Sequence, residues 1–183
     1  DVLSFSRLAE SEQFTRADLN GIVAGVLTDL ELLIEEKNAE IQVCPLPVLE
    51  VIPGLIHQVF QNLLSNALKF TRPEQQPVIR VESECTGTLS LEAPPRPDGP
   101  FCRITIRDNG IGFEEKYAGK IFSLFQRLNA HGKYEGTGIG LSIAKKIVEK
   151  HQGIIGARSR PGEGAAFTFV LPVRQPAAVQ GEA

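Results

Sequence analysis

Methionine and tryptophan are absent from this chain of 183 residues, and cysteine is scarce. The three cysteines are far apart and form neither a CxxC pair nor a cysteine–histidine cluster; they are Cys44, Cys85 and Cys102. This spacing excludes the usual zinc-site patterns and a disulfide framework, and it favours reduced thiols in a cytosolic compartment. Because the chain begins at Asp1 and contains no methionine, we expect it to be a piece of a longer protein.

An excess of positive charge and a long apolar run are also missing. The net charge is -3, so the basic signature of a nucleic-acid binder is absent and we expect no nucleic-acid partner. No apolar run approaches the roughly 20 residues that cross a bilayer, and no basic-then-apolar leader opens the chain. We therefore expect a cytoplasmic location, with a parent protein that is either soluble or membrane-anchored. Apolar residues make up 42% of the chain, which is enough for a core.

Helices and strands are predicted from the spacing of apolar residues. Helical spacing runs from Leu19 to Ile34, with Asp18 as the candidate N-cap and Asn38 as the stop. Apolar pairs recur every four residues over 55–68, which predicts the clearest helix. Apolar and polar residues alternate, as in half-buried strands, over residues 77–84 and 101–108, and the proline-rich stretch 91–100 between them is predicted to be the tip of a hairpin. Two more strands are predicted over residues 153–160 and 165–173, on either side of the turn PGEG. Since strands follow one another without strict βα alternation, we predict an α+β fold with helices on one face of a mixed sheet.

The chain is predicted to have three parts. Residues 1–14 have loosely helical apolar spacing and are expected to be the end of an upstream helix with a linker. Residues 15–173 hold all the other predicted helices and strands and are expected to form one domain. Residues 174–183 show no periodicity and are predicted to be a disordered tail.

The stretch EGTGIGLSIAKKIVEKHQG, residues 135–153, combines alternating glycines with helical periodicity. A dinucleotide fingerprint needs GxGxxG after a strand and a P-loop needs GKS or GKT, and the stretch satisfies neither. What remains is a glycine-rich entry to a helix. The free N–H groups of a helix start form an anion site, and glycines let an anion approach closely. The alternative is a flexible lead-in to a core helix, and on this stretch alone both interpretations stay open.

A second glycine cluster, RDNGIGF, follows the strand FCRITI. The pair Asn109–Gly110 alone would be an ordinary turn signal. Here Gly112 follows and Asp108 precedes. A carboxylate only accepts hydrogen bonds, so Asp108, at a strand end beside glycines, is a candidate acceptor for the exocyclic amine of a purine.

Asn62, Asn66 and Lys69 share one stripe of the clearest predicted helix. Such residues are most often a solvated polar face. Asparagine, however, is a poor helix former, so two asparagines on one stripe require a reason. An amide oxygen is a neutral hard ligand suited to Mg²⁺, which also binds substrate phosphates. Lys69 would then lie near a phosphate as a point charge.

The motifs NLLSNALKF, DNGIG, IFSLF and GTGIGL, in this order, resemble the N, G1, F and G2 boxes of sensor histidine kinases. The wider superfamily includes gyrase-type topoisomerases, heat-shock chaperone ATPases and MutL mismatch-repair ATPases. The resemblance covers roughly residues 18–173. It implies a two-layer α/β sandwich of the Bergerat type, in which helices cover one face of a mixed, largely antiparallel sheet. It also implies ATP and Mg²⁺ as cofactors.

The resemblance assigns roles to residues of the first two boxes. Asn66 corresponds to the Mg²⁺ ligand, and Asn62 to its supporting partner one turn earlier. Lys69 corresponds to the lysine that contacts phosphate, and Phe70 to the aromatic residue beside the adenine. Asp108 corresponds to the carboxylate that accepts the adenine amine. The glycines that let the nucleotide lie against the backbone are Gly110 and Gly112.

The resemblance also predicts a lid over the nucleotide, at about residues 113–138. Phe122 and Phe125 match its hydrophobic residues, although their i, i+3 spacing is equally typical of plain core residues. Arg127 sits where a basic lid residue approaches the terminal phosphate, and it joins Asn62 and Lys69 as a candidate catalytic residue. The last box is expected to hinge the lid and to present amides to the phosphates, through Gly136, Thr137, Gly138, Gly140 and Leu141.

The phosphoacceptor of the family is missing. In the family, the acceptor histidine is usually followed by Glu or Asp. The histidines are His57, His131 and His151, and they are followed by Gln58, Gly132 and Gln152. The resemblance therefore implies the catalytic half of a two-component kinase. It would transfer the γ-phosphoryl of ATP to a histidine on a helical hairpin outside this chain, and residues 1–14 would end that dimerising hairpin. His151, near a predicted helix C-terminus, is expected to interact with the helix dipole.

The implied partners are that hairpin, in the same or the partner subunit, and a downstream response-regulator receiver domain. The parent is expected to be a homodimer and the fragment itself a monomer.

The same residues disfavour three rival functions. The topoisomerase, chaperone and mismatch-repair ATPases use a helix-borne acid about one turn before the magnesium asparagine, where this chain has Gln61 and Asn62. A serine-directed anti-sigma kinase is disfavoured by NALKF and by the upstream helix tail. A non-catalytic interaction module is disfavoured because all the boxes are intact.

Overall fold

A computed structural model describes residues 13–123 and 138–176. Its strands are β1 Thr15–Asp18, β2 Glu40–Val43, β3 Val48–Val51, β4 Val78–Thr86, β5 Phe101–Asp108, β6 Ile154–Arg160 and β7 Gly164–Pro172. Its α-helices are α1 Leu19–Asp29, α2 Glu31–Lys37, α3 Pro53–Lys69 and α4 Gly140–Lys150. Among these described helices, none combines the length and the apolar character needed to span a bilayer.

The strands form a pair, β1–β3, and a larger sheet with the order β2-β4-β5-β7-β6. In the larger sheet β2 runs parallel to β4, and every other neighbouring pair is antiparallel. The helices pack on this mixed, mostly antiparallel sheet, so the predicted α+β architecture is confirmed. A fully buried aromatic contact joins the two layers, because Phe60 of α3 meets Phe169 of β7 edge-on at 5.6 Å between ring centroids.

The first predicted helix is broken in two. Asp18 caps its start as expected, accepting a hydrogen bond from the Asn20 N–H at 2.9 Å. Asn38 ends it in the left-handed conformation, with φ 49°. Between them, Leu30 departs from helical geometry and separates α1 from α2. Leu30 is buried, and backbone hydrogen bonds from Leu30 to Val26 and from Ile34 to Leu30 continue across the break.

The proline-rich loop of residues 87–100 joins β4 to β5, as predicted for a hairpin tip. It folds back over the outer face of the sheet, where Arg103 donates to the carbonyls of Leu91 and Ala93 at 3.0 and 2.6 Å. The side chain of Leu91 lies against Gly156, where a Cβ would be only 2.4 Å away. Val170, on the same outer face by register, is consequently fully buried.

His151 lies at the end of α4, where it contacts a carbonyl of the last turn from a buried position. The side chain is 0% exposed, and Nδ1 bonds the Ile147 carbonyl oxygen at 2.7 Å. Nε2 accepts from the Ile52 N–H at 3.0 Å, which fixes the neutral tautomer. Burial lowers the pKa of His151, and the nearby charge of Lys150 acts in the same direction against the Ile147 hydrogen bond. His151 is therefore neutral, and its two hydrogen bonds join α4 to the start of α3.

Candidate functional site

Hydrogen bonds join four segments that are distant in sequence into one junction: the second half of α3, the turn after β5, the start of α4 and the β6–β7 turn. The Ile111 N–H donates to the Phe70 carbonyl at 2.9 Å, and the Gly162 N–H donates to the Ile111 carbonyl at 2.7 Å. The Asn62 side-chain amide donates to the Gly140 carbonyl at 2.9 Å. These bonds link Asn62 to the start of α4, and Phe70 to the β5 turn.

Asp108 ends β5 with one carboxylate oxygen occupied. Its Oδ1 accepts from the backbone N–H groups of Gly110 at 2.8 Å and Ala165 at 3.3 Å. Within the described residues, Oδ2 has no hydrogen-bond partner, so it is an available acceptor. Burial raises the pKa of the Asp108 carboxyl above its usual value, while the two amide bonds oppose that rise.

Glycines are required in the β5 turn because neighbouring backbone atoms leave no room for a Cβ. A Cβ on Gly110 would lie 2.1 Å from the Phe70 carbonyl oxygen. Gly112 has φ +65°, and a Cβ there would lie 2.1 Å from the Arg160 carbonyl oxygen. The predicted contact of Gly110 and Gly112 with a nucleotide remains a prediction, but the packing of the turn already requires both glycines.

Gly164 belongs to the same junction and was not among the predicted site residues. It has φ +85°, and a Cβ there would lie 2.0 Å from the carbonyl oxygen of Asp108. The only sequence signal was the turn PGEG between two predicted strands, which gives no indication that the turn touches Asp108. Its close approach lets the neighbouring Ala165 N–H reach the carboxylate.

Asn109, interpreted from sequence as a simple turn residue, fastens the β5 turn to the segment after α3. Its Oδ1 accepts from the Val78 N–H at 2.9 Å, and its Nδ2 donates to the Gln76 carbonyl at 3.0 Å. Arg72 Nε donates to the Asn109 carbonyl at 2.9 Å. These three bonds hold the residue next to Asp108 in place, so Asn109 positions the candidate acceptor.

Replacing Asn109 with alanine is expected to lower the free energy of unfolding by about 1–2 kcal/mol, because the Val78 and Gln76 groups lose their partner. Asn109→Asp is the matched control. An aspartate still accepts from the Val78 N–H but cannot donate to the Gln76 carbonyl, so its loss should be smaller. Urea unfolding of the three proteins measures the difference. Equal stability of wild type and Asn109→Ala would show that these bonds do not restrain the turn.

The stripe of Asn62, Asn66 and Lys69 on α3 forms the other part of the junction. Asn62 contacts the first residue of α4 through the bond to Gly140, and Asn66 lies one turn further along the same helix. The Lys69 ammonium lies over the Phe70 ring, 5.4 Å from its centroid. Phe70 ends α3, and its carbonyl accepts from the Ile111 N–H of the β5 turn. The stripe therefore spans the distance from the start of α4 to the β5 turn.

The first part of the predicted lid, residues 113–123, is anchored to the sheet. Phe122 is 7% exposed and meets Phe167 edge-on, with ring centroids 6.2 Å apart. The Phe113 N–H donates to the Ser159 hydroxyl at 2.8 Å, and the Ser159 N–H donates to the Glu115 carboxylate at 2.9 Å. Phe122 is thus a core residue, the alternative that its spacing allowed, and a nucleotide contact for it remains a prediction. Sequence reasoning did not identify Ser159 or Glu115.

The remaining lid residues lie outside the described residues, namely Phe125, Arg127, Gly136 and Thr137. The next described residue is Gly138, which has φ +71°, and α4 begins with Gly140 and Leu141. Ile139, the N-cap position, makes no side-chain capping bond. The first-turn amides of this helix are therefore without a side-chain cap in the described part of the chain, as an anion site requires.

Comparison with known proteins identifies the family. The model of the family described as histidine kinase-, DNA gyrase B-, and HSP90-like ATPase matches residues 52–175. Phytochrome-like protein Cph1 of Synechocystis sp. is 36% identical over 174 residues, covering 94% of this chain and 22% of that protein. Sensor protein kinase WalK of Staphylococcus haemolyticus is 32% identical over 180 residues, covering 94% of this chain and 27% of that protein.

Solved structures show the same architecture. The catalytic domain of histidine kinase ThkA has a TM-score of 0.70 at 28% identity, covering 88% of this chain and 97% of that one. Full-length ShkA, in complex with AMPPNP, has a TM-score of 0.74 at 26% identity, covering 97% of this chain and 35% of that one. The chain spans about a fifth of the length of Cph1, whose matched share is 22%. The chain belongs to the histidine kinase-, DNA gyrase B- and HSP90-like ATPases, as a nucleotide-binding catalytic domain of the sensor histidine kinase type.

Proposed function

We propose that this domain binds ATP with Mg²⁺ and is the catalytic half of a two-component kinase whose phosphoacceptor histidine lies outside the chain. The main support is the junction of the four segments. Through the stripe from Asn62 to Phe70, α3 links the β5 turn, which follows the available oxygen of Asp108, to the start of α4, whose first-turn amides have no side-chain cap within the described residues. An acceptor for a base and amides for phosphates are the two things a purine nucleotide requires.

Each group has a proposed task. Asp108 Oδ2 accepts the adenine amine, and Phe70 lies beside the ring. The first-turn amides of α4, from Gly140 and Leu141 onward, hold phosphate oxygens in the field of the helix start. Lys69 adds a positive charge at the end of α3. Phosphoryl transfer depends mainly on such positioning and charge stabilisation.

The donor set of α3 fits a magnesium ion. The side-chain amide oxygen of Asn66 is the neutral hard ligand that Mg²⁺ accepts alongside waters and phosphate oxygens. Asn62 donates through Nδ2 to Gly140, which leaves its own amide oxygen as a second acceptor one turn away. When bound, Mg²⁺ would neutralise charge on the phosphates. Asn66 is the proposed protein ligand, with Asn62 orienting the α4 start beside it.

The finer assignments are proposed on the family resemblance. Residues 15–173 would form the catalytic domain, with a lid at about 113–138 that includes Arg127. Residues 1–14 would end the hairpin that carries the acceptor histidine. The parent would be a cytoplasmic-facing homodimer that passes phosphate to a response-regulator receiver domain.

The fragment is expected to bind ATP without labelling itself. Incubation with radiolabelled ATP and Mg²⁺ should leave the chain free of acid-labile phosphate, because no histidine here is followed by an acidic residue. Calorimetry with a non-hydrolysable ATP analogue should meanwhile show magnesium-dependent binding. Stable acid-labile label on the fragment would contradict the assignment of the acceptor to another part of the parent.

The rival of a non-catalytic interaction module is tested by thermal unfolding with the same analogue. Ligand that binds only the native state raises its stability by RT ln(1 + [L]/Kd). A shift in the melting temperature supports a live nucleotide site. An unchanged melting temperature at saturating analogue and Mg²⁺ would favour the interaction module.

A further inference from the structure

Two of the cysteines face each other on neighbouring strands. Cys85 lies near the end of β4, and Cys102 lies near the start of β5, directly opposite it in the antiparallel register. Directly opposed residues project from the same face of a sheet, so the two thiols are neighbours. Cys102 is 1% exposed, whereas Cys85 is half-buried. Their separation in sequence gives no indication of this pairing.

The backbone hydrogen bonds identify the kind of pair. The Cys85 carbonyl accepts from the Arg96 N–H at 2.8 Å, and the Val81 carbonyl accepts from the Cys44 N–H at 2.9 Å. Both bonds lie on the edge of β4 that faces away from β5. Cys85 and Cys102 are therefore a non-hydrogen-bonded pair, whose Cα atoms are about 4.5 Å apart. Disulfides span Cα separations of about 4.4–6.8 Å, so the strands need not move far to allow one.

We propose that Cys85 and Cys102 form a dithiol site that reacts with small disulfide compounds and closes to an intrachain disulfide. The Cys85 thiol gives its proton to solvent, and its sulfur attacks one sulfur of the oxidant, expelling one small thiolate that takes up a proton. Cys102 then loses its proton and attacks the Cys85 sulfur of the mixed disulfide, expelling the second small thiol. The protein loses two hydrogens and two electrons, and the oxidant is reduced to two thiols.

The environment sets the order of attack. Burial raises the pKa of Cys102 to about 12, with further contributions from the charges of Cys85 and Glu84. The thiolate is the nucleophile, so the half-buried Cys85 reacts first and Cys102 resolves the mixed disulfide. In that mixed disulfide Cys85 carries no charge, which removes one of the causes that hold Cys102 protonated. Closure should therefore be the slow step, and it should accelerate as the pH rises.

The bond would restrain the base of the loop of residues 87–100, which covers the outer face of the sheet. Thr86, next to Cys85, already bonds the Thr88 carbonyl through its hydroxyl at 3.1 Å. Asp108 lies at the opposite end of β5, opposite Ile79. A disulfide at the Cys102 end should therefore stabilise the loop base and leave the nucleotide site unaltered. This inference stands independently of the proposed nucleotide chemistry.

The test uses the full chain with Cys44→Ser, which removes the third cysteine, and oxidised glutathione as the probe. Intact-mass and peptide mass spectrometry should show a protein lighter by two hydrogens, with Cys85 and Cys102 linked and the change reversed by a reducing thiol. Adding Cys102→Ala should leave one glutathione attached to Cys85. Adding Cys85→Ser should prevent the reaction. Closure should be faster at mildly alkaline than at neutral pH.

Two results would overturn the proposal. One is a protein whose mass does not change, and the other is a glutathione adduct on Cys85 that persists while Cys102 is present. Thermal unfolding serves as a second measurement that does not depend on the variants. The oxidised chain should melt at a higher temperature than the reduced chain, because the cross-link restricts the unfolded state. ATP-analogue affinity should be equal in the two forms, so a failure of nucleotide binding would be seen separately.

Discussion

Replacing Asp108 with asparagine should weaken binding of an ATP analogue by about 10- to 100-fold while leaving the fold intact, the range that follows from losing a hydrogen bond to a charged group. The asparagine Oδ1 can still accept from the N–H groups of Gly110 and Ala165, which the native carboxylate occupies with one oxygen. Its NH₂ group then takes the place of the available oxygen. That group is a donor, and it would face the donor amine of adenine. Calorimetry gives the affinity, and thermal unfolding verifies the fold.

Asp98→Asn is the matched control, because it removes the same charge from an exposed residue of the loop 87–100. Its affinity for the analogue should equal that of wild type. An inosine nucleotide sharpens the test, since its ring carries a carbonyl oxygen where adenine carries the amine. Asp108→Asn should bind the inosine nucleotide better than wild type does. Unchanged affinity of Asp108→Asn for the ATP analogue would exclude Asp108 as the amine acceptor.

The pH dependence of binding follows from the same carboxylate. Burial raises the pKa of Asp108, so the group takes up its proton at a higher pH than a free aspartate. The protonated acid presents a donor in place of the acceptor. Nucleotide affinity should therefore be highest above the raised pKa and should fall as the pH drops through it. The Asp108→Asn protein, which cannot titrate at this position, should lack that fall.

The sequence predicted those parts of the site that lie within short motifs. A carboxylate at a strand end beside glycines marked Asp108 as the candidate acceptor, a role that stays a prediction, and the family motifs marked Asn62 and Gly140, which the structure joins by a hydrogen bond. The sequence did not predict the roles of Asn109, Ser159 and Gly164, because their contacts join residues far apart in the chain. The carbonyl of Asp108, for example, meets Gly164 across two antiparallel strands. No local pattern of residue types encodes that approach.

The helices and loops were likewise predicted only as far as local sequence patterns encode them. Helical periodicity located the apolar face that runs from Leu19 to Ile34, but this spacing continues across Leu30 and gives no sign of the break there. Proline content correctly marked residues 91–100 as part of a loop. Its docking on the outer face depends on Gly156, whose missing side chain makes room for Leu91. That is a tertiary contact, and neither partner stands out in its own segment.

Replacing His151 with phenylalanine is expected to lower the free energy of unfolding by about 1–3 kcal/mol, because it leaves the buried Ile52 N–H, which donates to Nε2, without its partner. The Ile147 carbonyl loses the bond from Nδ1 but still accepts from the backbone N–H of residue 151. Phenylalanine keeps the ring that meets Phe14 edge-on at 5.2 Å, so the change is mainly in hydrogen bonding. Urea unfolding at neutral pH measures it. A loss below the uncertainty of that measurement would mean that the Ile52 N–H finds another partner.

His151 should also make the stability of the domain depend on pH. Burial lowers its pKa in the folded state, whereas the unfolded chain has the ordinary value near 6.5. Between the two values the unfolded state binds more protons, so the free energy of unfolding rises with pH. The contribution is complete above about pH 6.5, declines as the pH falls below it, and levels off below the folded-state pKa. His151→Phe should remove this decline, while His57→Gln, which changes a partly exposed histidine, should retain it. Parallel pH profiles of wild type and His151→Phe would show that the pKa of His151 is the same in the folded and unfolded states. That result would contradict a buried, neutral His151 that joins α3 to α4.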